Sequence, residues 1–511
     1  MQEDEEASSK RRVVAPFAAA ANLTGASRIA WVAKELRSPS SAAGSLARQW
    51  QSSFRESMLH KQQLYTRERA SMEQEIADAQ TKAAAFVRQA RSGGDDALAD
   101  SQTPTWDVAE KVSSRWQGLV LQSASLDRIV QTARERYDLV NNATDFRTLR
   151  KAFALALEEL AADYASLPVL LESVADVVAS FIRQPLVTSA SFLNFILMGN
   201  PGVGKTRLAG ALAAVLGKLG LLVYDQLVEC GRSDFVAEYE GQTAVKSRNF
   251  LVSNLEKVIF LDEAYSLTTW EYPPGAADER RVSAYSSEAT TEIVAFLSQR
   301  VGATCFIAAG YENEMLNDFL PANPGLSRRF PRRVWLSDYS SGQLLGIYFA
   351  GVAAALSPPI PGGRAAPSSV ARSFFTDAAV AFLTDILESA RVQTPDGAQY
   401  PLLDRIFAAQ AGSMNTLANV TAMLVASSTR KGQIGVSDAE QDTWAIGFAD
   451  VYAIFTTLFQ QQLGPHAGEA LRELQLIARA DGWLDASGAW RALPGKASRD
   501  SVATRRTRSL D

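Results

Sequence analysis

A glycine-rich segment of eight residues has the residue types and the spacing needed to bind phosphate groups. It follows the pattern G-x-x-x-x-G-K-[ST] and reads Gly199-Asn200-Pro201-Gly202-Val203-Gly204-Lys205-Thr206. An apolar run that suits a buried strand precedes it, and we predict a helix over 207–219 after it, which is the context this pattern requires. Loop N–H groups and the positive end of the helix can then surround phosphate oxygens. We therefore predict that all eight residues bind ATP, with Lys205 reaching the β- and γ-phosphates and Thr206 supplying a hydroxyl to Mg²⁺.

Two adjacent acidic residues follow a second apolar run further along the chain. The run is Val258–Leu261, and the acids are Asp262 and Glu263. Such a pair can be no more than the polar exit of a strand, but the phosphate-binding loop upstream favours a catalytic interpretation. Asp262 is then expected to hold Mg²⁺ through water, and Glu263 to polarise the attacking water. The two motifs together predict an ATPase.

The elements that must position these residues belong to an α/β domain. From 161 to 340, short apolar runs alternate with amphipathic segments, which predicts a three-layer nucleotide-binding core around a parallel sheet. The flanking regions are predicted to be helical, over 45–160 and over 341–460. The ends are expected to be less regular, with a loosely structured segment over 1–44 and a helix followed by a disordered tail over 461–511.

The N-terminal helical region contains apolar residues that recur every seven positions. They lie in the stretch 45–91, at Met58, Tyr65, Met72, Ala79 and Phe86. Gln62 and Arg69 interrupt the second stripe that a complete heptad pattern would have. The pattern predicts one long helix, which either forms a helical hairpin or short coiled coil, or packs as an amphipathic helix on its own domain.

Composition excludes several other kinds of site. The 511 residues include two cysteines and two histidines, too few and too scattered for a disulfide framework, a zinc site or a histidine relay. We expect Cys230 and Cys305 to be buried free thiols in a reducing compartment. A net charge of −5 gives no general attraction to nucleic acid.

The compartment is predicted from what the sequence lacks. No apolar run reaches the ~18 residues of a membrane span, and the acidic start does not resemble a targeting peptide. We therefore expect a cytoplasmic protein without a membrane span. The segment 11–50, rich in Arg, Ala and Ser, leaves organelle import open.

Four motifs in order give the chain a specific resemblance. They lie at Tyr239–Lys246, Phe260–Leu267, Ala309–Met315 and Asn323–Phe330. They are similar, respectively, to the Y-x-G-x-T-A-x-K, F-I-D-E-A-Y-x-L, A-G-Y-x-x-x-M and N-P-G-L-x-S-R-F segments of the CbbX family of AAA+ proteins. That family includes red-type rubisco activases, stage V sporulation ATPases and the ATPases of type VII secretion. The resemblance covers roughly 165–430 and implies an AAA+ P-loop core followed by a small helical lid.

The resemblance implies roles for residues outside the two nucleotide motifs. Tyr239, with Glu240 and Gly241, would form a pore loop that grips a substrate polypeptide, and Tyr311 would lie in the sensor region beside the nucleotide. Glu240 stands where the family prefers an apolar residue. A ring of Glu240 side chains would favour a basic or neutral client segment, unless the change is simply tolerated. The segment 270–287 is longer than in the family, and is either a solvated loop or a second substrate-facing loop.

The resemblance implies an arginine finger, and two adjacent arginines are candidates for it. Arg329 matches the family's arginine and would reach the ATP of a neighbouring subunit. Arg328 stands where the family usually has Ser, so the assignment between the two stays open. A second departure lies in the lid. There the family's G-N-x-R corresponds to Gly412–Thr416, and Asn415 takes the place of the sensor-2 arginine.

These expectations combine into a ring-forming ATPase, a hexamer by resemblance, that remodels a protein client by threading it past the pore loop. One alternative is a nucleic-acid-associated motor or loader, which the acidic charge and the pore-loop tyrosine disfavour. Another is a nucleotide-gated scaffold with slow turnover, which the missing sensor-2 arginine favours and the intact acid pair disfavours. A GTPase is disfavoured because the chain has no N-K-x-D motif. Rubisco reactivation has no specific support.

Overall fold

The computed structural model describes residues 23–37, 44–92, 105–186, 193–239, 241–271, 280–339, 343–345, 448–463 and 467–480, with the single positions 347, 380, 383 and 465. The described residues form two compact units. The first contains those up to Leu336 apart from Asn200–Val203, and the second contains Asn200–Val203 with those from Ser337 onward. The N-terminal helices and the α/β core therefore share one unit, whereas the sequence analysis divided them at residue 160.

The described residues before the sheet include five helices. They are α1 (Gly25–Arg37), α2 (Gly44–Ser92), α3 (Thr105–Asn141), α4 (Ala143–Asp163) and α5 (Pro168–Arg183). Local sequence sets two of their starts. The side chain of Asn142 accepts hydrogen bonds from the N–H groups of Thr144 and Asp145 at the first turn of α4. Pro168 occupies the first turn of α5, where its missing N–H costs nothing.

Helices α2 and α3 pack side by side in opposite directions. Gln51 near the start of α2 donates a 2.8 Å hydrogen bond to the carbonyl oxygen of Val140 near the end of α3. Further along α2, Arg69 pairs with Asp127 at 2.7 Å. The long helix predicted from the seven-residue repeat is thus present as one arm of a helical hairpin.

Helix α1 lies within the segment 1–44, for which a loose structure was expected, and over Gly25–Arg37 that expectation is wrong. Arg28 of α1 pairs with Glu172 and Asp176 of α5, both at 2.9 Å. Apolar residues at helical spacing on α1 are buried: Ile29, Val32, Ala33 and Leu36. Apolar burial and charge pairing therefore hold a helix that a composition rich in Ala and Ser did not indicate.

The part of the chain that the structure describes then contains seven strands: β1 (Phe195–Gly199), β2 (Leu227–Cys230), β3 (Val258–Leu261), β4 (Trp270–Glu271), β5 (Arg281–Val282), β6 (Cys305–Gly310) and β7 (Arg332–Leu336). Five of them form one parallel sheet in the order β2-β3-β6-β1-β7, which confirms the predicted parallel α/β core. The β1, β3 and β6 runs are apolar and almost completely buried, as expected for strands covered on both faces. Strands β4 and β5 form a separate antiparallel pair, and residues 272–279 between them lie outside the described residues.

The helices of the core are α6 (Lys205–Leu219), α7 (Arg232–Phe235), α8 (Thr243–Ser253), α9 (Ala284–Gln299), α10 (Glu312–Glu314) and α11 (Pro324–Arg329). Because the sheet is parallel, the carboxyl ends of its strands lie along one edge, where ligands of open α/β sheets bind. The phosphate-binding loop leaves β1 there, Asp262 leaves β3 and Tyr311 leaves β6. The topology therefore brings the predicted site residues to the same edge.

The N-terminal helix α2 docks at the far end of α6. The indole Nε1 of Trp50 donates a 2.9 Å hydrogen bond to the carbonyl oxygen of Leu219. The ring of Phe54 packs so closely on Gly220 that a Cβ atom there would lie 2.4 Å from it. Gly220 also has a φ of 91°, so a side chain at this position would be excluded by both space and backbone conformation.

A buried ion pair adds to this junction. Glu256, 1% exposed, accepts hydrogen bonds from the Lys61 ammonium at 2.7 and 2.6 Å and from the Tyr65 hydroxyl at 2.5 Å. The N–H of Val223 donates to the same carboxylate at 3.1 Å. Glu256 has a φ of 63°, which is uncommon for a residue with a side chain. The α2 helix and the start of β3 are therefore joined by a charge pair whose polar atoms are well satisfied.

The described residues of the second unit include α12 (Phe448–Leu463) and α13 (Ala467–Ala480), which pack on each other. Most of the predicted lid, with Gly412–Thr416 and its Asn415, lies outside the described residues. In the part of the chain that the structure describes, no helix has both the length and the apolar character to cross a membrane.

Candidate active site

The phosphate-binding loop connects β1 to the first turn of α6. Gly202 and Gly204 have φ values of 79° and 87°, in the left-handed region that glycine adopts without strain. Gly204 immediately precedes α6 and has no side chain to cap its first turn. The N–H groups of that turn therefore suit an anionic ligand. The Lys205 ammonium donates a 2.8 Å hydrogen bond to the carbonyl oxygen of Gly199.

The middle of the loop makes two contacts within the second unit. Asn200 Nδ2 donates to the two carboxylate oxygens of Asp338 at 3.0 and 3.1 Å. The Tyr339 hydroxyl donates to the carbonyl oxygen of Val203 at 2.8 Å. Sequence reasoning missed Asp338 and Tyr339, because no motif connects them to a loop so far away in the chain.

The two predicted catalytic acids leave β3 at the carboxyl edge of the sheet, and both side chains are exposed. The Asp262 N–H donates to the Cys230 carbonyl oxygen at 3.2 Å, which extends the β2–β3 pairing to this residue. The Glu263 N–H donates to Asp262 Oδ1 at 3.0 Å. Glu263 has a φ of 47° in the left-handed region. Backbone of this kind costs free energy and is typical of active sites, where the surrounding structure fixes it.

Lys205 shares an electrostatic environment with the two acids. Burial lowers the pKa of Lys205, and the negative charges of Asp262 and Glu263 act in the opposite direction. The lysine of the first motif and the acids of the second, which are far apart in the sequence, therefore act on one another in the fold.

Two stacked tyrosines line the same region. Tyr311 follows β6, and its ring lies on that of Tyr265 with centroids 5.8 Å apart and planes inclined by 26°. The Lys205 ammonium lies 5.7 Å from the centroid of the Tyr311 ring. Burial, followed by the charge of Glu263, raises the pKa of Tyr265 to about 12. No role was predicted for Tyr265 by itself, although its position just after the two acids was a usable signal.

The two arginines at the end of α11 have different surroundings. Arg329 is half-buried, and its Nε and Nη2 donate to the Oγ of Ser298 on α9. Arg328 is exposed. Asn323 caps the helix by accepting a 2.8 Å hydrogen bond from the Gly325 N–H. Both arginines are thus presented by a short capped helix after the sensor region.

The predicted pore-loop tyrosine lies between α7 and α8. Tyr239 is 68% exposed, and Gly241 has a φ of 76° that lets the chain turn back. Glu240 lies outside the described residues. The base of the loop is held by hydrogen bonds at both sides. Thr243 Oγ1 accepts from the Ala237 N–H at 3.1 Å, and Lys246 donates to the carbonyl oxygen of Val236 at 3.0 Å.

The donor set fits a nucleotide with Mg²⁺. Among the described residues, no group of three or more His, Cys, Asp or Glu side chains could hold a metal ion by itself. Magnesium bound together with a nucleotide needs few protein ligands, because phosphate oxygens and water complete its shell. The Thr206 hydroxyl and the Asp262 carboxylate are the hard oxygen ligands that such a site uses.

Comparisons with known proteins find relatives of this region. Residues 195–337 match the model for AAA, the ATPase family associated with various cellular activities. Stage V sporulation protein K of Bacillus subtilis is 35% identical over 165 residues, which cover 32% of this chain and 48% of that protein. The ESX-1 secretion system protein EccA1 of Mycobacterium tuberculosis is 37% identical over 154 residues, which cover 30% of this chain and 26% of that protein.

Among solved structures, the chain is similar to the crystal structure of the FIGL-1 AAA domain in complex with ADP. The match has 14% sequence identity and a TM-score of 0.32, and it covers 56% of this chain and 80% of the FIGL-1 chain. The chain spans about half or less of the length of the two curated relatives. The family resemblance predicted from the four motifs is confirmed, since the region matches the AAA model and the relatives are a stage V sporulation protein and an ESX-1 secretion system protein.

Proposed function

We propose that the chain binds ATP with Mg²⁺ and hydrolyses it to ADP and phosphate, on the premise that residues 195–337 match the model for the AAA family of ATPases. The observation that carries this proposal is that Lys205, in the loop after β1, and Asp262 and Glu263, directly after β3, lie at the carboxyl edge of one parallel sheet. A phosphate-binding cation and two acids at the edge of one sheet can hold a nucleotide and activate water beside it.

Each residue has a defined task in the proposed reaction. Loop N–H groups and the Lys205 ammonium bind the β- and γ-phosphates, and the Thr206 hydroxyl and Asp262 carboxylate would hold the metal. Mg²⁺, when bound, neutralises charge on the phosphate oxygens. Glu263 accepts a proton from the water that attacks the γ-phosphate. Tyr311 lies beside Lys205, where a sensor of the nucleotide would be placed.

Substitution of Glu263 by Gln tests this reaction. The variant keeps the phosphate-binding residues but loses the proton acceptor, so it should bind ATP and hydrolyse it at least a hundredfold more slowly. Binding of a fluorescent ATP analogue and release of phosphate measure the two steps separately. Normal turnover in Glu263→Gln would remove Glu263 from the proposed role.

We further propose that copies of the chain form a ring that remodels a protein client. Two features support it: the exposed Tyr239 on a loop with a fixed base, and the arginines at the end of α11, which act only across a subunit boundary if either is a finger. Sedimentation with and without ATP would measure assembly. A monomer whose specific activity is independent of concentration would contradict the ring.

The class of client separates the remaining alternatives. ATPase rates should rise with an unfolded protein such as casein and stay constant with DNA. Stimulation by DNA alone would favour a nucleic-acid motor. Slow turnover under every condition would favour a nucleotide-gated scaffold. We place the protein in the cytoplasm as part of this proposal, supported by two buried free cysteines that suit a reducing compartment, and cell fractionation tests that location.

A further inference from the structure

The Tyr265–Tyr311 stack connects three segments of the candidate active site. Tyr265 lies in a 3₁₀ turn, Ala264–Leu267, that begins directly after Glu263. Tyr311 follows β6 and faces the Lys205 ammonium with its ring. One aromatic pair therefore lies between the segment that carries the proposed general base and the lysine that binds phosphate.

The ring of Tyr265 has little freedom to move. A Cβ atom on Gly310 would lie 2.9 Å from Tyr265 Cδ1 and 2.8 Å from Met315 Sδ, so the ring packs directly on the backbone of β6. The turn is also fixed by hydrogen bonds. The Ser266 N–H donates to the Glu263 carbonyl oxygen at 2.7 Å, and the Thr268 hydroxyl donates to the Tyr265 carbonyl oxygen at 2.9 Å.

The Tyr265 ring contacts Tyr311 on one side and the backbone of β6 on the other. On one side, Tyr265 supports Tyr311 from behind, so the face that Tyr311 presents to Lys205 stays in place. The Tyr311 ring therefore limits where the Lys205 ammonium can lie. On the other side, the packing of the Tyr265 ring on Gly310 anchors to β6 the turn that begins directly after Glu263, whose backbone is left-handed. Loss of the ring would remove both the support behind Tyr311 and the anchor of the turn on β6.

We propose that Tyr265 is a positioning residue for ATP hydrolysis: through Tyr311 it holds the Lys205 ammonium, and through its own turn it holds the Glu263 backbone. The inference rests on the proposed ATPase function of this site. Because both the loop N–H groups and Lys205 remain in a Tyr265 variant, we expect the loss to fall on the chemical step more than on binding.

Four variants of the full chain test the inference. Tyr265→Leu and Tyr311→Leu break the stack from either side, and Tyr265→Phe keeps the ring. Tyr224→Leu is the matched control, since the Lys257 ammonium lies 5.7 Å from the Tyr224 ring, the same distance as in the Lys205–Tyr311 pair.

The first measurement uses nucleotide-free protein and does not depend on activity. Acylation of Lys205 by a succinimidyl ester, followed by peptide mass spectrometry, reports how accessible its side-chain nitrogen is to the reagent. We expect the Lys205 rate to rise about threefold in Tyr265→Leu and Tyr311→Leu and to stay constant in Tyr265→Phe and Tyr224→Leu. The Lys257 rate should rise in Tyr224→Leu. An unchanged Lys205 rate in both stack-breaking variants would overturn the inference.

The second measurement separates binding from catalysis. In Tyr265→Leu we expect kcat to fall roughly three- to tenfold, the scale of one aromatic pair, while Kd for a non-hydrolysable ATP analogue changes less than about twofold. Tyr265→Phe should restore kcat. Full kcat in Tyr265→Leu, or a Phe variant as slow as the Leu variant, would contradict the inference. If Tyr265→Leu does not fold, Tyr311→Leu decides the outcome. If the unmodified chain hydrolyses no ATP, the proposed function fails, and the Lys205 acylation still tests the stack.

Discussion

Arg329 donates to the hydroxyl oxygen of Ser298 through both Nε and Nη2, at 3.0 and 2.7 Å. This contact within one chain gives the resting position of the side chain that matches the family's arginine finger. To reach the nucleotide of a neighbour, Arg329 would have to exchange the Ser298 hydroxyl for phosphate oxygens, a stronger charge-assisted contact.

The arginine assignment can be tested by substituting each residue in turn. We expect Arg329→Ala to lower kcat by ~10³ or more, the scale of a finger that stabilises the transferring phosphate, and Arg328→Ala to lower it only a few-fold. Mixing Arg329→Ala with Glu263→Gln subunits should restore part of the activity, because each variant supplies what its neighbour lacks. Loss of activity in Arg328→Ala alone would assign the finger to the exposed arginine.

Removal of the Lys205 ammonium should abolish nucleotide binding without unfolding the protein. Lys205→Ala leaves the loop backbone in place but removes the cation that contacts the phosphates. The neighbouring Arg207 is a suitable control, since it is exposed and pairs with Asp163 at 2.6 Å rather than with the loop. Equilibrium binding of a fluorescent ATP analogue and thermal unfolding of both variants make the comparison. Unchanged affinity in Lys205→Ala would contradict the assignment.

Tyr239 should be needed for client remodelling but not for basal ATP hydrolysis. The ring is exposed on a loop, so Tyr239→Ala should leave Tm and basal turnover nearly unchanged and abolish stimulation by an unfolded protein. Val245→Ala, at another exposed apolar side chain nearby, should keep the stimulation. A less stable Tyr239→Ala protein that client still stimulates would mean that Tyr239 only packs.

The buried pair of Lys61 and Glu256 should contribute to the stability of the first unit. Glu256→Ala leaves the ammonium buried without a partner, so we expect a loss of about 3–5 kcal/mol in the free energy of unfolding. Replacement of Lys61 by Met together with Glu256 by Leu should lose much less, because neither charge remains. Urea unfolding of the single and double variants measures the difference. Equal losses in the two would show that the charge pair is not the cause.

The hydroxyl of Tyr65 should make the fold sensitive to alkali. Burial, followed by the charge of Glu256, holds the pKa of Tyr65 well above its usual value near 10. The group therefore stays protonated in the folded state when it ionises in the unfolded chain. Its contribution to stability is complete below about pH 10 and is lost as pH rises above that value. Tyr65→Phe should have a flatter decline of Tm in that range, and an identical decline would contradict this cause.

Short sequence patterns predicted the elements whose structure depends on neighbouring residues in the chain. The phosphate-binding loop is defined by glycines and a lysine at fixed spacing, and the run Val258–Leu261 forms β3 with the predicted bounds. Helix α6 begins at Lys205, two residues before the predicted start.

The remaining features depend on contacts between distant segments. Helix α1 is held by ion pairs with α5, well over a hundred residues away, and no local pattern contains that information. The buried Glu256 carboxylate depends on a lysine from α2, and the stack of Tyr265 on Tyr311 depends on the order of strands in the sheet. A single sequence shows the residue types but not which of them meet.

Helix α6 has the phosphate-binding loop at one end and the Trp50 contact at the other, about 22 Å apart along its axis. Helix α2 is held to the core as far as Glu68, whose carboxylate pairs with Arg300 at 2.6 Å. From Glu68 it continues to Ser92, a length of about 36 Å. A rotation of about five degrees at Glu68 would move the far end of α2 by about 3 Å. A small change in the angle of α2 would thus become a larger displacement at Ser92, away from the phosphate-binding loop.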